Sequence, residues 1–598
     1  MTATGGPGLR SDAWLRGDDE VALNHRAALR QAGTGRPLIG IACTASDLNR
    51  CDRGLTELAE AARAGILAAG GLPLAFPVMS LSEDLMAPTA MLYRNLLAIE
   101  VEETIRSQPL DGIVALGNCD KTVPAYLMAL ASADIPALLV TGGFRAPVTF
   151  RGERLGSGTS LWRYDDARRS GRLGDADWAR LETCLGQGLG ACNTMGTAST
   201  MAIMAETLGM MLPGTAVVGT GDPRLRDAAE AAGRRIVAMA AAGNRPSAVL
   251  TPAGFGNAIA ALAAIGGSTN AIIHLCAVAG RRAIRLPLQR FADASGAVPV
   301  IADISPVGAG LMPDLADAGG VPALLAEIAP HLDLTVPTAA GPPLGELLAA
   351  VSRQAGGAIR PARDPVTRVP AFTVVHGNLA PDGAVIKTAA ASPALLRHRG
   401  RALVFHSYLQ MRDRIDDPAL EVTPDSVLVL AGCGPVGAGM PEWGMIPIPR
   451  KLLDRGVTDM LRISDARMSG TSFGTVVLHV APESAAGGPL ARLRDGDVIR
   501  SPERPLAAEG GVAVLRGNLA PDGAVVKHIA AEPRLLKHTG PAVLAAREPV
   551  LPPVTDLRGW PLLHRQHVTQ APEGCDYDFL QARTPGQIRF TEPVIGRS

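Results

Sequence analysis

Three cysteines stand just ahead of stretches with helical spacing: Cys51 in SDLNRCDRGLTELAE (46–60), Cys119 in GNCDKTVPA (117–125) and Cys192 in ACNTMGTASTMAIMAETLG (191–209). A helix N-terminus favours the thiolate, which is the form of sulfur that ligates metals. Iron–sulfur clusters normally take four thiolates, so three would leave one iron position open to a substrate. Around Cys119 a thiol, a carboxylate (Asp120) and an ammonium (Lys121) are consecutive. On the residues alone two readings of that triplet weigh equally. One is a core cysteine beside a helix-capping Asp and a surface Lys. The other is a place where soft sulfur meets iron and hard oxygen meets Mg2+. Cys192 reads either as a ligand or as part of a tightly packed helix start. No CxxC, HExxH or Walker A sequence occurs, and the glycine turns GSGTS (156–160) and GTGD (219–222) are weak candidates for an anion cradle.

The elements that must position these groups alternate. Residues 37–43, 72–80, 111–118 and 135–140 read as buried strands, and 55–70, 84–107 and 122–133 as helices. Near-continuous apolar strands alternating with helices predict a parallel sheet covered on both faces, with ligands beyond the carboxyl ends of the strands. Those ends carry Cys43 and Cys51, then Glu83, then Cys119-Asp120-Lys121, then Thr141-Gly142-Gly143. Residues 355–371, rich in Gly, Pro and Arg, mark a boundary. Beyond it short apolar runs with Gly-Pro punctuation predict a β-rich, barrel-like domain. The domain assignment is therefore a polar, Arg-rich arm (1–36), an α/β domain carrying the cysteines (37–362) and a β-rich C-terminal domain (363–598). Residues 376–405 recur as 516–545, identical at 18 of 30 positions at an offset of 140. A single recurrence is one duplicated supersecondary unit, since a solenoid needs at least about three.

Composition sets the limits. The 598 residues carry 57 Lys+Arg and 57 Asp+Glu, a net charge of zero, which argues against a broad nucleic-acid or anionic-membrane footprint. With 47% apolar and 19% charged residues a large core is expected, and with only 3% aromatics it must be aliphatic. Eight cysteines are too few for a disulfide scaffold and no signal peptide is read at the N-terminus, so a cytoplasmic location with reduced thiols is expected. Residues 255–280 carry no charged side chain and are long enough to span a bilayer, but GGSTN in their middle predicts two buried segments joined by a turn, with Ser268 or Thr269 capping the second.

The motifs resemble those of the dihydroxy-acid and sugar-acid dehydratases over about residues 37–500. GNCDKT and CNTMGTASTM look like the two signature cysteine segments of that family. PTAMLYRNLLAIEVEETIR (88–106), AAIGGSTNAIIHL (263–275) and RISDARMSGTSFGTVVLHVAPESAAGGPLA (462–491) also match. Lys121-Thr122-Val123-Pro124-Ala125 follows the sugar-acid branch, which includes arabinonate and xylonate dehydratases; the branched-chain enzymes have Pro-Gly there. The resemblance implies an N-terminal parallel-sheet α/β/α domain and a C-terminal β-barrel-like, swivelling α/β domain. It implies Cys51, Cys119 and Cys192 as ligands of a [2Fe–2S] cluster, with [4Fe–4S] as the alternative. Glu83, Asp120 and Glu442 align with Mg2+ ligands, and Lys121 with a lysine that carbamylation turns into an anionic oxygen ligand. Ser469 aligns with the catalytic base and Thr471 with a substrate-binding residue. The partner implied is a small sugar acid, and the assembly a homodimer or homotetramer. Cys43, Cys184, Cys276, Cys433 and Cys575 are left as buried small hydrophobes. Cys43 and Cys184 each precede a proposed ligand by eight residues, so spacing does not choose within either pair.

The implied reaction removes water from a 2,3-dihydroxy acid to give a 2-keto-3-deoxy acid. The C3 hydroxide is a poor leaving group and needs a Lewis acid. The C2 proton becomes acidic only when the neighbouring carboxylate is neutralised, and a serine hydroxyl becomes a usable base only when nearby cations lower its pKa. Two departures from the family pattern stand out: CTASDLNRCDRG around Cys51 lacks the usual aromatic-bearing segment, and the 376–405 unit is doubled. The rival readings are a branched-chain dihydroxy-acid dehydratase, an inactive relative with a disturbed C-terminal domain, and a zinc or redox protein using the same cysteines.

Overall fold

Four apolar strands form a parallel sheet in the order β2-β1-β3-β4: β1 (Leu38–Cys43), β2 (Leu72–Pro77), β3 (Gly112–Leu116) and β4 (Ala137–Val140). The computed structural model describes residues 9–16, 27–32, 35–351, 357–500, 513–517, 520–526 and 557–582. Between the strands lie α1 (Leu55–Ala68), α2 (Met91–Ser107) and α3 (Thr122–Ala133). The register aligns Cys43 with Pro77 and with Leu116, and Leu116 with Val140. All four strands thus end on one edge, and the loops after them must meet there. The long helix expected from 84 starts only at Met91. Pro88 disfavours helical backbone in the residue before it, which delays the start.

Both faces of the sheet are covered. On one, α1 packs against a later helix, α5 (Pro223–Ala242), so closely that Gly65 meets the backbone of Glu230 and Gly233 that of Ala62. On the other lie α2 and α3, and every residue of α3 is buried. The charge-free stretch around 255–280 forms α6 (Pro252–Ala264) and α7 (Asn270–Gly280), separated at Gly266-Gly267. The Ser268 hydroxyl accepts from the Asn270 amide (3.2 Å), while Thr269 makes no side-chain cap. Among the described residues no helix is long and apolar enough to cross a membrane. The described part of the N-terminal arm includes a helix, Arg10–Arg16. Ser11 ties it to Asp111 through its amide (2.9 Å) and hydroxyl (2.6 Å).

The second half folds around a seven-stranded mixed sheet that curls on itself. Its order is β11-β7-β8-β9-β10-β6-β5, with β5 (Thr373–Gly377), β6 (Ala380–Ile386), β7 (Arg399–Phe405), β8 (Val427–Leu430), β9 (Arg462–Ser464), β10 (Val476–Ala481) and β11 (Val498–Arg500). β7 to β10 are parallel, and β5, β6 and β11 add antiparallel edges. Two strands of the second repeat are described, Ala513–Gly517 and Ala520–Val526. Their pairing, Ala513 to Val526 and Gly517 to Ala520, is that of Thr373 to Ile386 and Gly377 to Ala380 moved by 140. The duplicated sequence thus makes the same hairpin; the rest of 516–545 lies outside the described residues. Residues 557–582, at the end of the second half in sequence, return to the first. Arg281 binds Asp576 (2.5 Å) and Arg94 donates to the carbonyls of Gly574 and Cys575 (2.9 and 2.8 Å), all buried.

Lys387, at the end of β6, is fully buried and its ammonium nitrogen has no hydrogen-bond partner. Burial pushes its pKa down to about 7. The unfolded chain keeps the proton up to about pH 10.4. Stability therefore falls as pH drops from about 10 towards 7 and levels off below. Lys387→Met is expected to stabilise the protein by about 1–3 kcal/mol at pH 7, with the gain shrinking towards pH 10. Thermal melts across that range check both the sign and the trend.

Candidate active site

Cys51 sits in the turn before α1, Cys119 in the loop before α3, and Cys192 five residues before α4 (Thr197–Thr207). Cys119 is buried and within hydrogen-bonding contact of Cys51, which, with burial, pushes the Cys119 thiol well up. Burial also raises Cys192, opposed by the Arg145 guanidinium, which donates to its sulfur at 3.3 Å; Cys51 is near enough to act on Cys192 as well. The three sulfurs thus share one neighbourhood with Cys51 in common. Cys184 is elsewhere, packed beside Phe150 and Tyr164. The expected burial of the five remaining cysteines holds for Cys276, Cys433 and Cys575, whereas Cys43 and Cys184 are only half-buried.

Residues adjacent to the cysteines hold these loops together. Asp52 is buried and its Oδ1 accepts from the amides of Asn118 (3.0 Å) and Cys119 (3.1 Å). Its Oδ2 accepts from Asn49 and from Ser80, each at 3.0 Å. Burial raises the Asp52 carboxyl to about 6 against these donors. Asn118 donates to the carbonyls of Cys51 (3.0 Å) and Gly143 (2.8 Å). One carboxylate and one amide therefore stitch together all four strand-end loops.

The hard-oxygen groups form a second cluster beside the first. Lys121, read from sequence as either a surface lysine or a site residue, is fully buried. Its Nζ lies 2.5 Å from Asp120 Oδ2 and 4.0 Å from Glu442 Oε1. Arg467, also fully buried, reaches across from the C-terminal half. It donates to Glu442, to Glu83 Oε1 (2.8 Å), to Thr89 (2.8 Å) and to the Met440 carbonyl (2.8 Å). Burial works to raise Glu83, but Arg467 and Lys121 outweigh it and hold this carboxyl below its ordinary range. For Glu442 burial wins and its pKa is raised. Glu83 Oε2 is buried with no partner. Among the described residues no three His, Cys, Asp or Glu side chains form a ready metal-holding group; the carboxylates are instead compensated by Lys121 and Arg467.

Ser469 lies two residues beyond Arg467, and its hydroxyl is 2.9 Å from that of Thr471. The N-terminal half grips this loop. Asn270 donates to the Met468 carbonyl (3.2 Å) and Thr159 to the Thr471 carbonyl (2.7 Å). Gly158 has φ +81°, and a Cβ there would collide with the Thr471 hydroxyl. A Cβ at Gly470 would meet Ser268 and the Thr197 amide. The GSGTS turn thus seats the Ser469 loop: its Ser157 amide is taken by Asn193 (2.7 Å). In GTGD, Asp222 caps α5 through the Arg224 amide (2.9 Å). Sequence reasoning missed Asp52, Asn118, Arg145 and Arg467. The first two lie next to the signature cysteines, and that adjacency was the available signal.

The parallel α/β sheet thus carries thiols and carboxylates at its carboxyl edge, joined through Arg467 to a serine loop from the mixed-sheet domain. Comparison with known families gives this architecture its class. The N-terminal dihydroxy-acid/6-phosphogluconate dehydratase model matches residues 36–347, and its C-terminal counterpart matches 357–501 and again 497–551. The chain is 43% identical to a 6-deoxy-6-sulfo-D-gluconate dehydratase of Pseudomonas putida over 584 residues, 96% of each chain. It is equally similar, 43% over 586 residues and 96% of each, to an L-arabinonate dehydratase of Rhizobium leguminosarum bv. trifolii. To a dihydroxy-acid dehydratase of Moorella thermoacetica it is 35% identical over 508 residues, 82% of this chain and 90% of the relative. The protein is a hydro-lyase. It belongs to the dihydroxy-acid/6-phosphogluconate dehydratase family, and the two sugar-acid relatives above match it at higher identity than the dihydroxy-acid dehydratase above.

Proposed function

We propose that this protein dehydrates a sugar acid, a pentonate or hexonate, to the 2-keto-3-deoxy acid. The observation that carries the reading is the threading of Arg467-Met468-Ser469. Arg467 bridges Glu83 of one half and Glu442 of the other, and Ser469 follows it by two residues in the same loop, its hydroxyl paired with that of Thr471. In this reading Cys51, Cys119 and Cys192 hold an iron–sulfur cluster of the [2Fe–2S] type. Glu83, Asp120, Glu442 and a carbamylated Lys121 hold Mg2+. The donor set fits: sulfurs share one neighbourhood beside the Arg145 cation, and Glu83 offers an unpartnered buried oxygen. When bound, these metals supply Lewis acidity for the departing C3 oxygen and neutralise the substrate carboxylate.

The protein's own groups do the rest. Ser469 Oγ takes the C2 proton, and Thr471 holds that hydroxyl in place and binds substrate. The C2–H electron pair forms the C2–C3 double bond, the C3–O bond breaks, and the departing hydroxide leaves as water with the proton that Ser469 took from C2, which restores the base. The enol then tautomerises to the 2-keto acid. Buried Arg467, two residues before Ser469, adds positive charge to the loop that carries the base, which favours its deprotonated form.

The test is a screen of metal-replete enzyme on L-arabinonate, D-xylonate, D-gluconate and 2,3-dihydroxyisovalerate, detecting 2-keto acid. Turnover of the last alone would assign the chain to branched-chain chemistry instead, and turnover of none would overturn the reading. A second expected result concerns the loops. Asp52→Ala leaves two buried amides without their acceptor, so iron and sulfide bound per chain should fall several-fold after reconstitution. Unchanged iron content would remove Asp52 from the site.

A further inference from the structure

A cavity of about 270 Å3 opens beside Glu442 and lies between the two halves of the chain. Phe473, four residues after Ser469, also borders it. In a chain with 3% aromatics it concentrates four of them: Trp162, Tyr408, Trp443 and Phe473. Tyr408 and Trp443 are stacked, with centroids 4.2 Å apart and planes at 18°. Such faces suit the C–H surfaces of a polyol chain. Three buried N–H groups of lining residues have no acceptor: Trp162 Nε1, Arg169 Nη1 and Arg462 Nε. Buried donors without acceptors are uncommon in native proteins, and these three belong to residues that border the cavity.

The charges are arranged differently. The lining holds four carboxylates (Asp165, Asp166, Asp416 and Glu442) against three arginines. Two of those arginines are already committed: Arg169 to Asp416 (2.8 Å) and the Ile448 carbonyl (2.8 Å), and Arg462 to Asp459 (2.5 Å). Among the described residues Asp165 makes no ion pair within 4.0 Å, and Asp166 has only Arg169 at 3.8 Å. Burial raises both of these carboxyls, so they already resist their own charge. An additional anion against them would face like charge in a partly desolvated space.

We propose that this cavity seats the distal carbon chain of the substrate and selects an aldonic acid with an uncharged, hydroxyl-bearing end over one ending in a phosphate or sulfonate. The inference rests on the sugar-acid reading above and narrows its substrate class. It separates this chain from its equally similar relative named for a sulfonated gluconate.

The metal-replete enzyme is assayed on D-gluconate, its 6-phosphate, its 6-deoxy-6-sulfo analogue and a four-carbon 2,3-dihydroxy acid. The expected kcat/KM on gluconate exceeds that on either charged analogue by at least about tenfold. Asp165→Asn narrows this margin severalfold by removing the unpaired charge. Trp162→Phe, which removes the indole N–H and part of the aromatic face, lowers the ratio of gluconate to four-carbon acid severalfold. The wild-type comparison needs no variant to fold. Parity or preference for a charged end, with aldonates still turned over, overturns this inference alone. Turnover of no aldonate overturns the function reading and this one with it. Variants that leave both ratios unmoved overturn the placement of the distal chain.

Discussion

Ser469→Ala is expected to lower kcat by about 10²–10⁴-fold, the usual contribution of a positioned general base, with the cluster's visible absorbance and the fold retained. The argument is geometric. The Ser469 hydroxyl is only partly buried and its close polar neighbour is the Thr471 hydroxyl at 2.9 Å. Removing it leaves Thr471 with its other anchor, the Thr159 bond to its carbonyl at 2.7 Å. The loop is held from outside by Asn270 and by the contacts of Gly158 and Gly470, none of which involves Ser469 Oγ. The structural cost is that of two hydrogen bonds, the one with the Thr471 hydroxyl and a longer one from the Thr471 amide (3.4 Å), about 1–2 kcal/mol together, below the loss in rate. Single-turnover kinetics, iron content and a thermal melt on the same preparation separate the two effects. A variant with the parent rate would eliminate Ser469 as the base. A variant with lost iron would make it a positioning residue for the metals.

The sheet was legible because parallel strands buried on both faces are continuous apolar runs, and β1 to β4 are found within two or three residues of the stretches that predict them. The meeting of Cys51, Glu83 and Cys119 on one edge followed from strand direction alone. Local pattern was blind to partners far away in sequence. Arg467 looks like any arginine in DARMSG, yet it is fully buried because its carboxylate partner Glu83 lies 384 residues earlier. Lys121 was ambiguous for the same reason: exposure is decided by what packs over α3, and that includes the C-terminal half. The glycine turns read only as weak anion candidates because a Gly-rich turn serves equally for a ligand and for a neighbouring backbone. Gly158 serves Thr471. The return of residues 557–582 to the first half rests on Arg94 and Arg281, again buried cations whose partners are nearly 300 or more residues away.

Arg467→Met should be the most destabilising single change in the site. Removing one partner of a buried ion pair leaves the other uncompensated and costs about 3–5 kcal/mol; here two carboxylates, Glu83 and Glu442, lose the same cation, with Lys121 left to offset both. The pH dependence carries the signature. Glu83 is held below its ordinary pKa, so in the parent it contributes stability that is present at neutral pH and lost as pH falls through its folded value. Without Arg467 burial dominates, as it already does for Glu442. Both carboxyls then titrate upward, and the variant should gain stability relative to the parent as pH falls from 7 towards 5. Glu442→Gln in the Arg467→Met background removes one of the stranded charges and should restore part of the loss, whereas Glu442→Gln alone should not stabilise to the same extent. The double-mutant cycle reads this coupling directly. Absence of coupling would mean that the two halves of the molecule are not joined through this arginine, and the alignment of Ser469 with the N-terminal cluster would then have to depend on the Asn270 and Thr159 contacts alone.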